Sequence, residues 1–169
     1  MQDEGHAHRV VGLAGELWTL QARRRRQRAS LHPGEIHAGA RQATALGTAG
    51  LAREIIERAL ETEWSPALVS LYAELPEGIY SSEREGEARA RIQSAERWLR
   101  SRSRDPQLLA TLGRLCMQAE LWGKARSFLE ASLSFDDSRA ARLELARLAE
   151  RLGQPDEAQR HYRKAAELP

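Results

Sequence analysis

A small residue, two bulky residues and a second small residue recur in this chain at helical offsets of 0, 3, 4 and 7. The copies read Ala52, Ile55, Ile56, Ala59; Ala125, Phe128, Leu129, Ser132; and Ala158, His161, Tyr162, Ala165. Those offsets share one face of an α-helix, so each copy specifies a helix whose small residues let a neighbour approach closely. The copies headed by Ala125 and Ala158 stand 33 residues apart. That period predicts stacked helical hairpins rather than one closed core. Such a stack presents a binding surface more readily than an active site.

Composition agrees with an all-α fold. Aromatic residues make up only 5% of the chain, and Ala, Leu, Glu, Gln and Arg dominate it; these are helix formers, with few strand formers among them. The 169 residues suffice for one domain spanning 1–169. Its single cysteine, Cys116, falls on the apolar stripe Leu108, Leu109, Leu112, Leu115, which excludes an internal disulfide framework and reads as a small buried hydrophobe. Net charge is +2, with the cations almost all Arg and only Lys124 and Lys164 as lysines. An arginine bias follows genome composition as readily as nucleic-acid binding, so no nucleic-acid partner is expected. No apolar run approaches the roughly 20 residues that span a bilayer, and no signal peptide opens the chain. It reads as a soluble fragment.

Start and stop signals divide the chain. An amphipathic helix is expected over 8–28, ending in the Arg-rich run 23–28, so that 1–30 forms a leading segment. That run reads first as a solvated helix end, and otherwise as a patch for anionic lipid or phosphate. Pro33, Ser65-Pro66, Asp105-Pro106 and Ser138 then open hairpins over 33–62, 65–103, 105–135 and 138–168, with the polar residue capping and the proline in the first turn. Residues 76–86 lack helical periodicity and are expected to form an inserted loop. Trp122 falls in the turn of the third hairpin, where it can cover the hairpin's end.

In such a solenoid the first helix of each hairpin lines a concave groove. Three of these helices carry an arginine directly after the small close-contact residue: Arg41 after Ala40, Arg114 after Gly113, and Arg147 after Ala146. Stacked, they predict a basic ladder, which suits carboxylates because a guanidinium binds them bidentately. His37, Thr44, Met117 and Gln118 share that face and complete the groove wall. Ala73 occupies the corresponding position in the second hairpin and interrupts the ladder. His6 and His8 make at most a weak metal pair, and His161 sits in a packing slot. No Ser, Cys or His lies in a nucleophile motif, so no catalytic residue and no resident metal is expected.

Leu112, Gly113, Ala125, Phe128, Leu129 and Leu133, then Leu145, Ala146, Gly153, Ala158, Tyr162 and Ala165, resemble tetratricopeptide repeats. Three longer strings, Glu54–Tyr72, Ala95–Leu99 and Leu112–Leu133, resemble the C-terminal half of the proteobacterial HemY family associated with haem biosynthesis. The likeness covers about residues 30–168 and is most specific over Leu121–Leu133. It implies an α-α superhelix of tetratricopeptide hairpins and a scaffold for protein–protein interactions. It also implies a parent protein held in the bacterial inner membrane by N-terminal anchors, with this domain cytoplasmic. Haem-pathway enzymes or acidic peptide segments are the partners expected. The alternative is a haem or porphyrin carrier that uses the groove arginines, with His37 as the cofactor-binding axial ligand. Self-association through uncovered solenoid ends is a further expectation.

Overall fold

The computed structural model describes residues 33–45, 49–76 and 81–169. The helix expected over 8–28, its arginine run and the His6–His8 pair lie outside these residues. The chain divides into compact units Met1–Glu35 and Ile36–Pro169. Eight helices are described: α1 (Pro33–Ala45), α2 (Ala49–Thr62), α3 (Pro66–Glu74), α4 (Ser81–Leu99), α5 (Pro106–Gln118), α6 (Trp122–Phe135), α7 (Arg139–Arg151) and α8 (Pro155–Glu167).

Two boundaries differ from the sequence expectation. The helix α4 begins at Ser81, so 81–86 are helical and the break between α3 and α4 is shorter than the loop expected over 76–86. The stretch Ser82-Glu83-Arg84-Glu85 lacks an apolar stripe, yet Glu and Arg are good helix formers, and propensity extends a helix where periodicity gives no signal. Trp122 opens α6 instead of lying in the turn before it.

The packing is densest within the pairs α5/α6 and α7/α8; α5 also packs on α3 and α4, and α7 on α6 and α5. The small–bulky–bulky–small pattern forms the seam, with Ala52, Ile56, Ala125, Leu129, Ala158 and Ala165 all buried. Gly113 shows why a small residue is required there. A Cβ on it would lie 2.5 Å from Leu129 Cγ, so α5 and α6 touch at a distance only glycine permits. Ser132, fully buried, donates its hydroxyl to the Pro106 carbonyl at 2.8 Å, which removes the cost of an unpaired buried polar group.

The turns repeat as well. Glu120 and Gly153 both adopt positive φ, 56° and 69°, and the next amide in each case bonds back to the helix it left: Leu121 N–H to the Cys116 carbonyl at 2.8 Å, Gln154 N–H to the Ala149 carbonyl at 2.9 Å. Such left-handed closures satisfy carbonyls that the helix end leaves without a partner. Between hairpins, Asp105 does two jobs. Its Oδ1 caps α5 by accepting from Leu108 N–H at 2.9 Å, and its Oδ2 accepts from Trp64 Nε1 at 2.7 Å. Trp64 also packs edge-on to Trp98, as does Tyr72, while Arg102 lies 4.2 Å above the Trp64 ring. Buried Arg91 reaches from α4 to the Leu75 carbonyl at the end of α3. Arg126 of α6 bonds Glu157 and Gln154 of the next hairpin at 2.6 and 2.8 Å.

Candidate partner-binding groove

The first helices α3, α5 and α7 stand side by side, and polar side chains of α5 bind α3 directly. Gln107 donates to Ser70 Oγ at 2.6 Å, Thr111 to the Val69 carbonyl at 3.2 Å, and Gln118 to the Ala73 carbonyl at 2.9 Å. Donors at 107, 111 and 118 share one face of α5. This seam forms the floor of the groove. Gln118, expected on the free wall, is therefore engaged in holding two hairpins together; its Oε1 is buried with no hydrogen-bond partner.

Above the floor, Arg114 does not sit in a row of bare cations. Its guanidinium lies 3.7 Å from Glu74 and 3.8 Å from Glu144, and the same Glu144 oxygen accepts from Arg147 at 2.7 Å. The groove thus alternates: Glu74, Arg114, Glu144, Arg147. Glu144 is largely enclosed, with 13% of its side chain exposed, whereas Arg147 remains 54% exposed. The expected basic ladder is in this way interleaved with carboxylates. Glu74 follows Ala73, the position where the sequence already showed the ladder interrupted. Glu144 precedes Arg147 by three residues, a spacing that makes neighbours on a helix; that was the one available sequence signal for it.

Two depressions open on this face. A small notch of about 110 Å³ lies between Ser70, Ala73, Gln107, Ala110, Ala140 and the Arg114–Glu144 pair. A larger cleft of about 400 Å³ is lined by Arg114, Met117, Gln118, Glu120, Trp122, Glu144 and Arg151. The structure thus brings Arg114, Met117 and Gln118 together, with Arg147 adjoining through Glu144. Trp122, Glu120 and Arg151 join them without having been expected. His37 is half-buried and Arg41 exposed on α1, and neither lines these clefts. Thr44 belongs to the last turn of α1, and its side chain lies outside the described residues.

Cofactor chemistry has little to rest on in this groove. Porphyrin-type ligands favour slots lined mainly by apolar and aromatic groups, while this cleft is walled by Arg, Glu and Gln with one Trp and one Met. Among the described residues no group of three or more His, Cys, Asp or Glu converges as a metal-ligand set. Cys116 is buried on α5, and burial pushes its thiol up to about 11, with Lys124 opposing. A thiol held protonated in this way is a packing element rather than a nucleophile. Among the described residues no helix is long and apolar enough to cross a membrane.

No protein-family model matches this chain, and no curated protein matches it. Among solved structures it is similar to the crystal structure of a thermophilic TPR protein from Thermus thermophilus, with a TM-score of 0.52 and 19% identity, over 79% of this chain and 90% of that one. At that identity the likeness concerns the fold. The architecture is an α-α superhelix of tetratricopeptide-like hairpins.

Proposed function

We propose that this chain is a non-catalytic scaffold that docks a segment of a partner protein in the groove of α3, α5 and α7. The observation that carries the reading is the 400 Å³ cleft, where Trp122 and Met117 supply apolar contact beside Arg114, Glu144 and Arg151. Aromatic and Arg anchors surrounded by polar groups are what protein-docking sites use. Alternating charges favour a segment that carries both signs over a purely acidic one, because Arg114 and Arg147 already face Glu144.

The haem-biosynthesis setting at the bacterial inner membrane is supported only by the resemblance of Leu121–Leu133 and its flanking strings to the HemY family. The experiment is affinity capture from a membrane extract with the wild-type chain and with the double variant Arg114→Ala, Arg147→Ala. Loss of the partner, with helicity unchanged by circular dichroism, is the outcome expected. Equal capture by both chains would rule out the groove as the docking site.

A further inference from the structure

The last hairpin carries a second cleft, away from the groove and lined mostly by α8. It encloses about 410 Å³, and Arg142, Arg160, His161, Arg163 and Lys164 contribute to its wall. Two acids approach it, and both are already engaged. Asp137 grips Arg142 bidentately at 2.6 and 2.8 Å, and Glu157 accepts from Arg126 at 2.6 Å. With two of its nitrogens fixed by Asp137, Arg142 keeps Nη1 3.5 Å from the His161 ring and only 13% of its side chain exposed. That cation is therefore positioned by the fold. Arg160, Arg163 and Lys164 make no side-chain hydrogen bond or ion pair among the described residues. Against them the cleft sets one further acid, Glu167. Unlike the groove, this surface has a clear excess of positive charge.

We propose that this cleft is a second docking site, whose occupant is an extended acidic segment of a protein partner with carboxylates at alternate positions. The spacing selects it. Arg160 and Lys164 are one helical turn apart, about 6 Å along the axis, and same-face side chains of an extended peptide repeat about every 7 Å. Two carboxylates two residues apart can each meet a cation here, and a guanidinium fork receives a carboxylate bidentately. A nucleic-acid backbone fits less well, since no Trp, Tyr or Phe lines the cleft on which a base could stack. The site shares no residue with the groove cleft, so it stands or falls separately from the function proposed there.

The test is fluorescence anisotropy on the full chain at low salt with a labelled Asp-Ser-Asp-Ser-Asp peptide and its Asn-Ser-Asn-Ser-Asn counterpart. Three proteins are compared: wild type, Arg160→Glu with Lys164→Glu, and Arg114→Ala with Arg147→Ala. The expected result is binding of the acidic peptide that falls by about tenfold or more in the α8 variant, consistent with loss of two charge-assisted contacts. Binding should be unchanged in the groove variant and absent for the Asn peptide. Equal binding by wild type and the α8 variant, no measurable binding of the acidic peptide to wild type, or its full displacement by equimolar inorganic phosphate would each overturn the proposal. Arg160 and Lys164 make no side-chain hydrogen bond or ion pair among the described residues, and circular dichroism is used to check that the variant is folded before it is compared.

Discussion

Gly113 and Gly39 are both helical glycines, and the structure assigns them opposite consequences. In a helix interior, alanine is better than glycine by about 1 kcal/mol. At Gly39 a Cβ would meet nothing within 4 Å, so Gly39→Ala should stabilise by about that amount, read as a higher urea midpoint. At Gly113 the Cβ would meet Leu129 Cγ and Cδ2 at 2.5 and 2.6 Å. Overpacking costs about 1–3 kcal/mol, which exceeds the propensity gain, and Gly113→Ala should lower the midpoint. A rise would mean that α5 and α6 are not in close contact there. Asp105 makes a second test at this scale. Losing its cap costs about 1 kcal/mol, and a part-buried Trp64 N–H left without an acceptor adds about 1–3 kcal/mol. Asp105→Ala should therefore destabilise by about 2–4 kcal/mol, while Asp105→Asn, which keeps a capping oxygen but turns an NH2 toward the Trp64 N–H, should lose only the Trp64 share, about 1–3 kcal/mol. Similar midpoints for the two variants would refute the dual role. The cap was legible in Asp105-Pro106. The Trp64 bond was not, because its donor stands 41 residues away and only the packed hairpins bring the two together.

Among elements, those with a strong apolar stripe were readable, and the charged start of α4 was not. The clean periodicity of α5 and α7, with Asp105-Pro106 and Ser138 as their start signals, sufficed to place them. At α4 the sequence showed only serines and charged residues before Gly86, and the helix there follows propensity alone. The last hairpin corrects a different expectation. An uncovered solenoid end was expected to leave an apolar face, but among the described residues Leu152 is its only exposed large hydrophobic side chain. The exposed side chains of α8 are mainly Arg, Lys, Gln and Glu. Its inner side gives this hairpin a pH dependence. Burial first, then Arg142, hold the His161 imidazole below its ordinary range, with Glu157 opposing. The unfolded chain then takes up the proton before the folded one, so stability present above about pH 6.5 is lost as pH falls through the folded value. Urea midpoints of wild type and His161→Gln, followed from pH 7.5 to 5, should converge as the wild type loses stability faster. A constant gap would show that the imidazole is not held neutral by the fold.

For the whole molecule, the repeat spacing and the small-residue seam were legible because they depend on neighbours along one helix. The character of the groove was not, because it depends on pairs between helices. Arg114 and Arg147 were placed correctly on the first helices, yet Glu74 and Glu144, from the hairpins on either side of α5, turn a basic row into an alternating one. Gln118 was likewise placed on that face but binds α3. The second cleft was missed because Arg160, Arg163 and Lys164 look like an ordinary solvated face until Asp137 and Glu157 are seen to be engaged elsewhere. The central claim is that partner docking belongs to the first-helix groove. It is tested most directly by placing a photocrosslinking amino acid at Met117, in the groove cleft, and separately at Ser127, exposed on α6, then irradiating each chain in a membrane extract. The account predicts a discrete crosslinked partner from position 117 and none from 127; the same partner from both positions, or from 127 alone, would contradict it.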